Sequence, residues 1–108
     1  SPEFQDQVSK SARTMVDLVK DARMQGDSSV SQDAHVLSDR LQSYYEMSLS
    51  KLDAQIDEDS SAELLAEKDE LTKDYFELAI DRVLQGEDAV IPNAIKGETA
   101  DFPSSLKT

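Results

Sequence analysis

The run "DEDSSAELLAEKDEL", residues 57–71, places oxygen-bearing side chains at alternate positions: Asp57, Asp59, Ser61 and Glu63. Oxygens spaced this way can wrap a hard cation such as calcium. A calcium loop also needs a glycine at its sixth position, for the sharp turn, and a bidentate glutamate at its twelfth. Counted from Asp57, those positions hold Ala62 and Lys68. The chelating pattern fails at both. The same residues suit a different task, because Ser60 and Glu63 have the spacing of a Ser-x-x-Glu capping box. Acids here also complement the positive end of a helix dipole. The run is read as the start of a helix, with no metal.

Other chemistries are poorly supplied. His35 is the single histidine and stands one helical turn before Asp39, where an i,i+4 contact can form. A di-iron bundle needs Glu-x-x-His on two helices, which one histidine cannot provide. There is no cysteine, so disulfides, thiolate metal sites and cysteine nucleophiles are excluded. No serine lies in a Gly-x-Ser-x-Gly elbow, and there is neither a glycine-rich phosphate loop nor a dinucleotide fingerprint. Carboxylates are plentiful, but a general acid needs a desolvated pocket that displaces its pKa. The expectation is a protein that is not an enzyme, with no cofactor.

Charge narrows the partners. The chain carries 23 acidic residues against 11 basic ones, a net charge of −12. A field of that sign repels nucleic-acid phosphates and anionic membranes, and no Lys/Arg cluster opposes it locally. Direct nucleic-acid binding is therefore not expected, whereas a basic protein partner is compatible. The apolar runs are too short for a membrane span.

The elements that position these residues follow from hydrophobic period. Val8, Ala12, Met15, Val16, Leu18, Val19, Ala22 and Met24 predict a first helix over about residues 5–25, closed by Gly26. Ser29 and Gln32 have capping-box spacing and predict a second helix over 30–57. Its main stripe is Val30, Ala34, Leu37, Leu41, Tyr44, Tyr45, Leu49, Leu52 and Ile56. Val36, Met47 and Ala54 form a thin second stripe near the opposite side. A third helix over 61–85 ends at Gly86 and has a wide apolar face from Leu64 to Leu84. Glu63, Glu67, Glu70, Asp74, Glu77 and Asp81 recur along it as an acidic face opposite the centre of that apolar face. Lys68 and Arg82 fall within the apolar sector, where their stems can lie on the core while the charges reach water or pair with acids on a neighbouring helix.

Beyond residue 86 the period is lost. Pro92, Gly97 and Pro103 break any long helix, yet Val90, Ile91, Ile95, Phe102 and Leu106 are spaced like anchors. Residues 87–108 are read as an irregular or flexible tail, or as a strap folding back over the helices. Ser1-Pro2-Glu3-Phe4 resembles a cloning remnant and is set apart from function. Gln5 follows it, so the natural chain is expected to begin upstream. That leaves the location open, with the cytoplasm favoured.

The fold class expected is all-α: an elongated three-helix bundle of coiled-coil-like helices. The second and third helices make an antiparallel hairpin, and the first lies against it or engages a second copy. The function expected is a non-enzymatic protein–protein interaction module, the architecture of many helical chaperones, adaptors, assembly factors and bacterial secretion accessories. Its partner is another protein, itself as a homo-oligomer, or both. The candidate partner-binding residues are Val36, Met47, Ala54, Val90, Ile91, Ile95 and Phe102. Alternatively, the acidic face marks an inhibitor, an antitoxin-like protein or a nucleic-acid mimic that binds a basic partner. Far-UV circular dichroism is expected to be dominated by helix, and a spectrum of strand or coil would overturn the whole reading.

Overall fold

The structure, a computed structural model, describes residues 2–26 and 28–96. Three helices follow in order: α1 (Pro2–Met24), α2 (Ser28–Glu58) and α3 (Ala62–Leu84). Among the described residues there is no strand. The fold class is all-α, as the hydrophobic period requires. The chain divides into two compact units, Ser1–Leu41 and Gln42–Thr108, and α2 runs through the division.

In the first unit, α1 buries Ala12, Val16 and Val19, and the N-terminal half of α2 buries Ala34, Ser38 and Leu41. These repeat at steps of three and four, the period that keeps one helical face inward. Three of the six are Ala or Ser, small enough to let helix backbones approach closely. Gly26 ends α1 with φ 75°, a left-handed conformation that glycine adopts without a Cβ clash. The second helix begins earlier than its sequence suggests. Ser29 therefore lies inside the first turn of α2.

The second unit contains an antiparallel hairpin of the C-terminal half of α2 with α3. Its register is set by two contacts: the Tyr45 and Tyr75 rings lie 5.9 Å apart, and Lys68 Nζ donates to Asp53 Oδ1 at 3.2 Å. In both pairs the residue numbers sum to nearly the same value, as antiparallel neighbours must. Tyr45, Leu49, Leu52, Leu71, Tyr75, Leu78 and Ala79 are buried in its core.

Both ends of α3 are closed by specific hydrogen bonds. The N-cap is Ser61, one residue after the serine that the capping-box spacing selects. Its Oγ accepts from Leu64 N–H at 3.1 Å, while Ser60 Oγ donates back to the Ile56 carbonyl at 2.9 Å. Ser60, in the link, thus satisfies a carbonyl at the end of α2, and Glu63 keeps its favourable place in the first turn of α3. At the other end, Gly86 N–H donates to the Val83 carbonyl and Glu87 N–H to the Arg82 carbonyl, at 3.0 and 2.8 Å. That pair of bonds is a Schellman motif, with Gly86 at φ 77° in the left-handed position.

Two substitutions separate the serines. Ser61→Ala orphans the Leu64 N–H and is expected to cost about 1 kcal/mol of stability. Ser60→Ala is expected to cost under about 0.5 kcal/mol. Gly86→Ala meets no atom within 4 Å of the added Cβ, so its expected cost of roughly 1–2 kcal/mol is the backbone term alone. Urea titration of the three variants checks the ranking.

Candidate interaction surfaces

His35 lies on α2 with its Nε2 3.5 Å from Asp39 Oδ2, and both side chains are about half exposed. The geometry is that of an i,i+4 surface pair. Among the described residues, no group of three or more His, Cys, Asp or Glu side chains converges as metal ligands.

The acidic row of α3 does not form one solvated face. Glu63, Glu70 and Glu77 are exposed, Glu67 and Asp81 are half-buried, and Asp74 is buried. Helical geometry gives the reason. At 100° per residue, the apolar set from Leu64 to Leu84 covers roughly 240°, far more than one contact can hide. The residues actually buried (Leu71, Thr72, Asp74, Tyr75, Leu78, Ala79 and Arg82) cover roughly 160°. The centre of the buried sector is rotated toward the acidic row by about 80°. Asp74 is drawn inside, and Leu65 and Leu84 are left in water.

Arg82 is the second consequence of that rotation. It does not reach out along the core to water; its side chain is only 4% exposed. Its Nε donates to the Asp88 carbonyl at 2.7 Å, and a terminal nitrogen lies 3.4 Å from Glu87 Oε1. Both acceptors come from the segment just beyond the Schellman turn, not from a neighbouring helix. Lys68, by contrast, pairs with Asp53 across the hairpin, as the apolar-sector argument allowed.

The segment after α3 is held at further points. Tyr75 Oη donates to the Val90 carbonyl, Val90 N–H donates to Gln42 Oε1 at 3.3 Å, and residues 93–96 form a 3₁₀ turn. Pro92 is buried and Ile95 is fully buried. Ile95 therefore belongs to this unit's interior and is not available to a partner. Of the other candidate partner-binding residues, Val36, Met47, Ala54 and Val90 are exposed and Ile91 is half-buried; Phe102 lies outside the described residues. The adjacent aromatics Tyr44-Tyr45 and Tyr75-Phe76 each place one ring inward. Tyr45 and Tyr75 are buried, Tyr44 packs edge-on to Tyr45 at 5.2 Å, and Tyr44 and Phe76 are half-buried.

Sequence reasoning passed over the surface of α1. Met15, Leu18 and Met24 are exposed by 41%, 57% and 85%, although the period assigned all three to the helix's apolar set. The signal was present, since nine apolar residues, Phe4 included, on a 23-residue helix exceed one buried seam. No protein family, curated protein or solved structure matches this chain. No helix among the described residues is long and apolar enough to cross a membrane.

Burial pushes the Tyr75 phenol well above its ordinary pKa of 10.0, and the nearby Glu46 charge adds to this; the Arg82 charge acts in the opposite sense. A raised folded-state pKa favours the folded state while the phenol is protonated. That contribution is complete below pH 10.0 and is lost as the pH rises above it. Tyr75→Phe is therefore expected to flatten the alkaline limb of stability against pH. Arg82→Ala removes the guanidinium from Glu87 and from the Asp88 carbonyl and is expected to cost on the order of 3 kcal/mol. Lys68→Ala, at a partly exposed pair, is expected to cost under about 1 kcal/mol. Thermal melts distinguish the two.

Proposed function

We propose that this chain is a non-enzymatic helical interaction module that associates with other proteins, itself included, through exposed apolar side chains. The observation that carries this reading is the placement of methionine. The chain has three methionines, and Met15, Met24 and Met47 are all exposed, by 41–85%. None enters the core, where an unbranched thioether would fill gaps between helices. Methionine on a surface is adaptable and polarisable, and is favoured where a protein must accept partners of varied shape. Leu18, Val36, Leu65, Leu84 and Val90 are also exposed. Scattered singly, such residues would need no explanation. The methionines give the pattern its meaning.

A second reading keeps one specific observation. Glu63, Glu70 and Glu77 are exposed at seven-residue intervals along α3, and the net charge of −12 adds a long-range field. Those features suit an acidic inhibitor or nucleic-acid mimic facing a basic partner. Salt separates the two: capture by charge weakens as salt rises, whereas apolar association persists.

Replacing Met15, Met24 and Met47 together by Gln tests the first reading. The triple variant is expected to keep the wild-type melting behaviour, because exposed positions change stability by no more than about 0.5 kcal/mol each. It is also expected to lose most binding of an exposed-hydrophobe dye and most of the wild type's self-association by light scattering. A wild-type protein that is strictly monomeric and binds no dye would overturn the proposal.

A further inference from the structure

We infer that the exposed stripe of α1 is a dimerisation seam that takes a second copy of this chain, antiparallel, about a two-fold axis that crosses the stripe at the level of residue 13. The inference rests on the self-association arm of the proposed function and names the surface and the occupant.

The stripe consists of Val8, Ser11, Met15, Leu18 and Ala22. Ser11, Met15 and Leu18 are exposed; Val8 and Ala22 are half-buried. Plotted at 100° per residue, the five fall within roughly 80°, beside the buried seam of Ala12, Val16 and Val19. The border on the solvent side is Gln7, Thr14 and Gln25. Stripe and border together leave a sector of roughly 120° that holds no charged side chain along the length of the helix. Every charge of α1 lies elsewhere on its circumference.

Electrostatics selects the occupant. Within α1, Glu3, Asp6, Asp17 and Asp21 are balanced by Lys10, Arg13, Lys20 and Arg23. The helix sums to zero, and the −12 is carried wholly by the rest of the chain. Two copies meeting through other faces bring like charges together. Two copies meeting through α1 bring together neutral, apolar surfaces and keep the acids apart.

The spacing is self-complementary as well. In an isologous pair each residue i faces j, and j faces i. With the axis at the level of residue 13, Val8 faces Leu18 of the other copy, and Ser11 faces Met15. A small side chain thus receives the long one, and each pairing occurs twice. The stripe from Val8 to Ala22 is about 22 Å long. It is shorter than an interface of about 1,600 Å² requires, so the dimer is concentration-dependent and forms in the micromolar-to-millimolar range.

Analytical ultracentrifugation over that range tests the seam. Wild type is expected to move from monomer to dimer, and more readily as salt screens the acids. Leu18→Glu and Val8→Lys are each expected to weaken dimerisation by at least about tenfold. Mixed in equal amounts they are expected to recover it, because Glu at 18 of one copy then faces Lys at 8 of the other. Met15→Glu with Ser11→Lys repeats the test at two exposed positions where the fold tolerates a charge, and circular dichroism verifies helicity throughout. Unaltered dimerisation of the single variants would overturn the seam, as would a mixture that fails to recover while the wild type dimerises. A wild type monomeric at millimolar concentration would also overturn it. If that monomer still binds dye through its methionines, the interaction-module reading stands without the seam.

Discussion

The buried Tyr75 hydroxyl needs a hydrogen-bond acceptor, and in the second unit that need ties down the segment beyond the hairpin. Tyr45 and Tyr75 meet between α2 and α3 and supply the largest apolar area of that core. Left without an acceptor, the Tyr75 hydroxyl would cost roughly 1–3 kcal/mol. Tyr75 resolves this by donating to the Val90 carbonyl, which draws the post-helical segment back over the hairpin. Arg82 makes the same demand with a charge and is answered by Glu87 and the Asp88 carbonyl. Pro92 and Ile95 are then buried. The segment is held by polar groups that the helices cannot satisfy themselves.

Much of this architecture was legible in the amino-acid order. Three helices, their approximate limits and the glycine that closes α1 and α3 follow from period and from the left-handed preference of Gly26 and Gly86. The antiparallel hairpin follows from a short link. The N-cap of α3 was legible only to within one residue, because Ser60 and Ser61 are chemically identical neighbours. The choice between them depends on which carbonyl α2 leaves free.

Which face of α3 turns inward was not legible. Its apolar residues spread too widely to define a centre, so packing chose the orientation, burying Asp74 and Arg82 and exposing Leu65 and Leu84. Ile95 reads as an anchor in either direction, inward or toward a partner, and its sequence neighbours do not distinguish them. Met15 and Leu18 were assigned to the apolar set of α1. The period gives the direction of a side chain and says nothing of how many of those directions are covered.

The surface left over is chemically uneven. α3 presents spaced glutamates, α2 presents Val36 and Met47 singly, and α1 combines zero net charge with an uncharged stripe. A chain of −12 that confines its neutrality to one helix has separated the area that keeps it dispersed from the area where contact is tolerated.

The bond from Val90 N–H to Gln42 spans 48 positions, whereas Lys68–Asp53 and Tyr75–Val90 each span 15. Entropy lost on ring closure grows with separation, so the hairpin can zip outward from its three-residue link, Asp59 to Ser61, before that distant clasp is made. The same ordering in reverse makes the clasp the first point to loosen. Breathing in this unit therefore begins at the junction of Gln42 and Val90, and the Lys68–Asp53 contact nearest the link is the last to part.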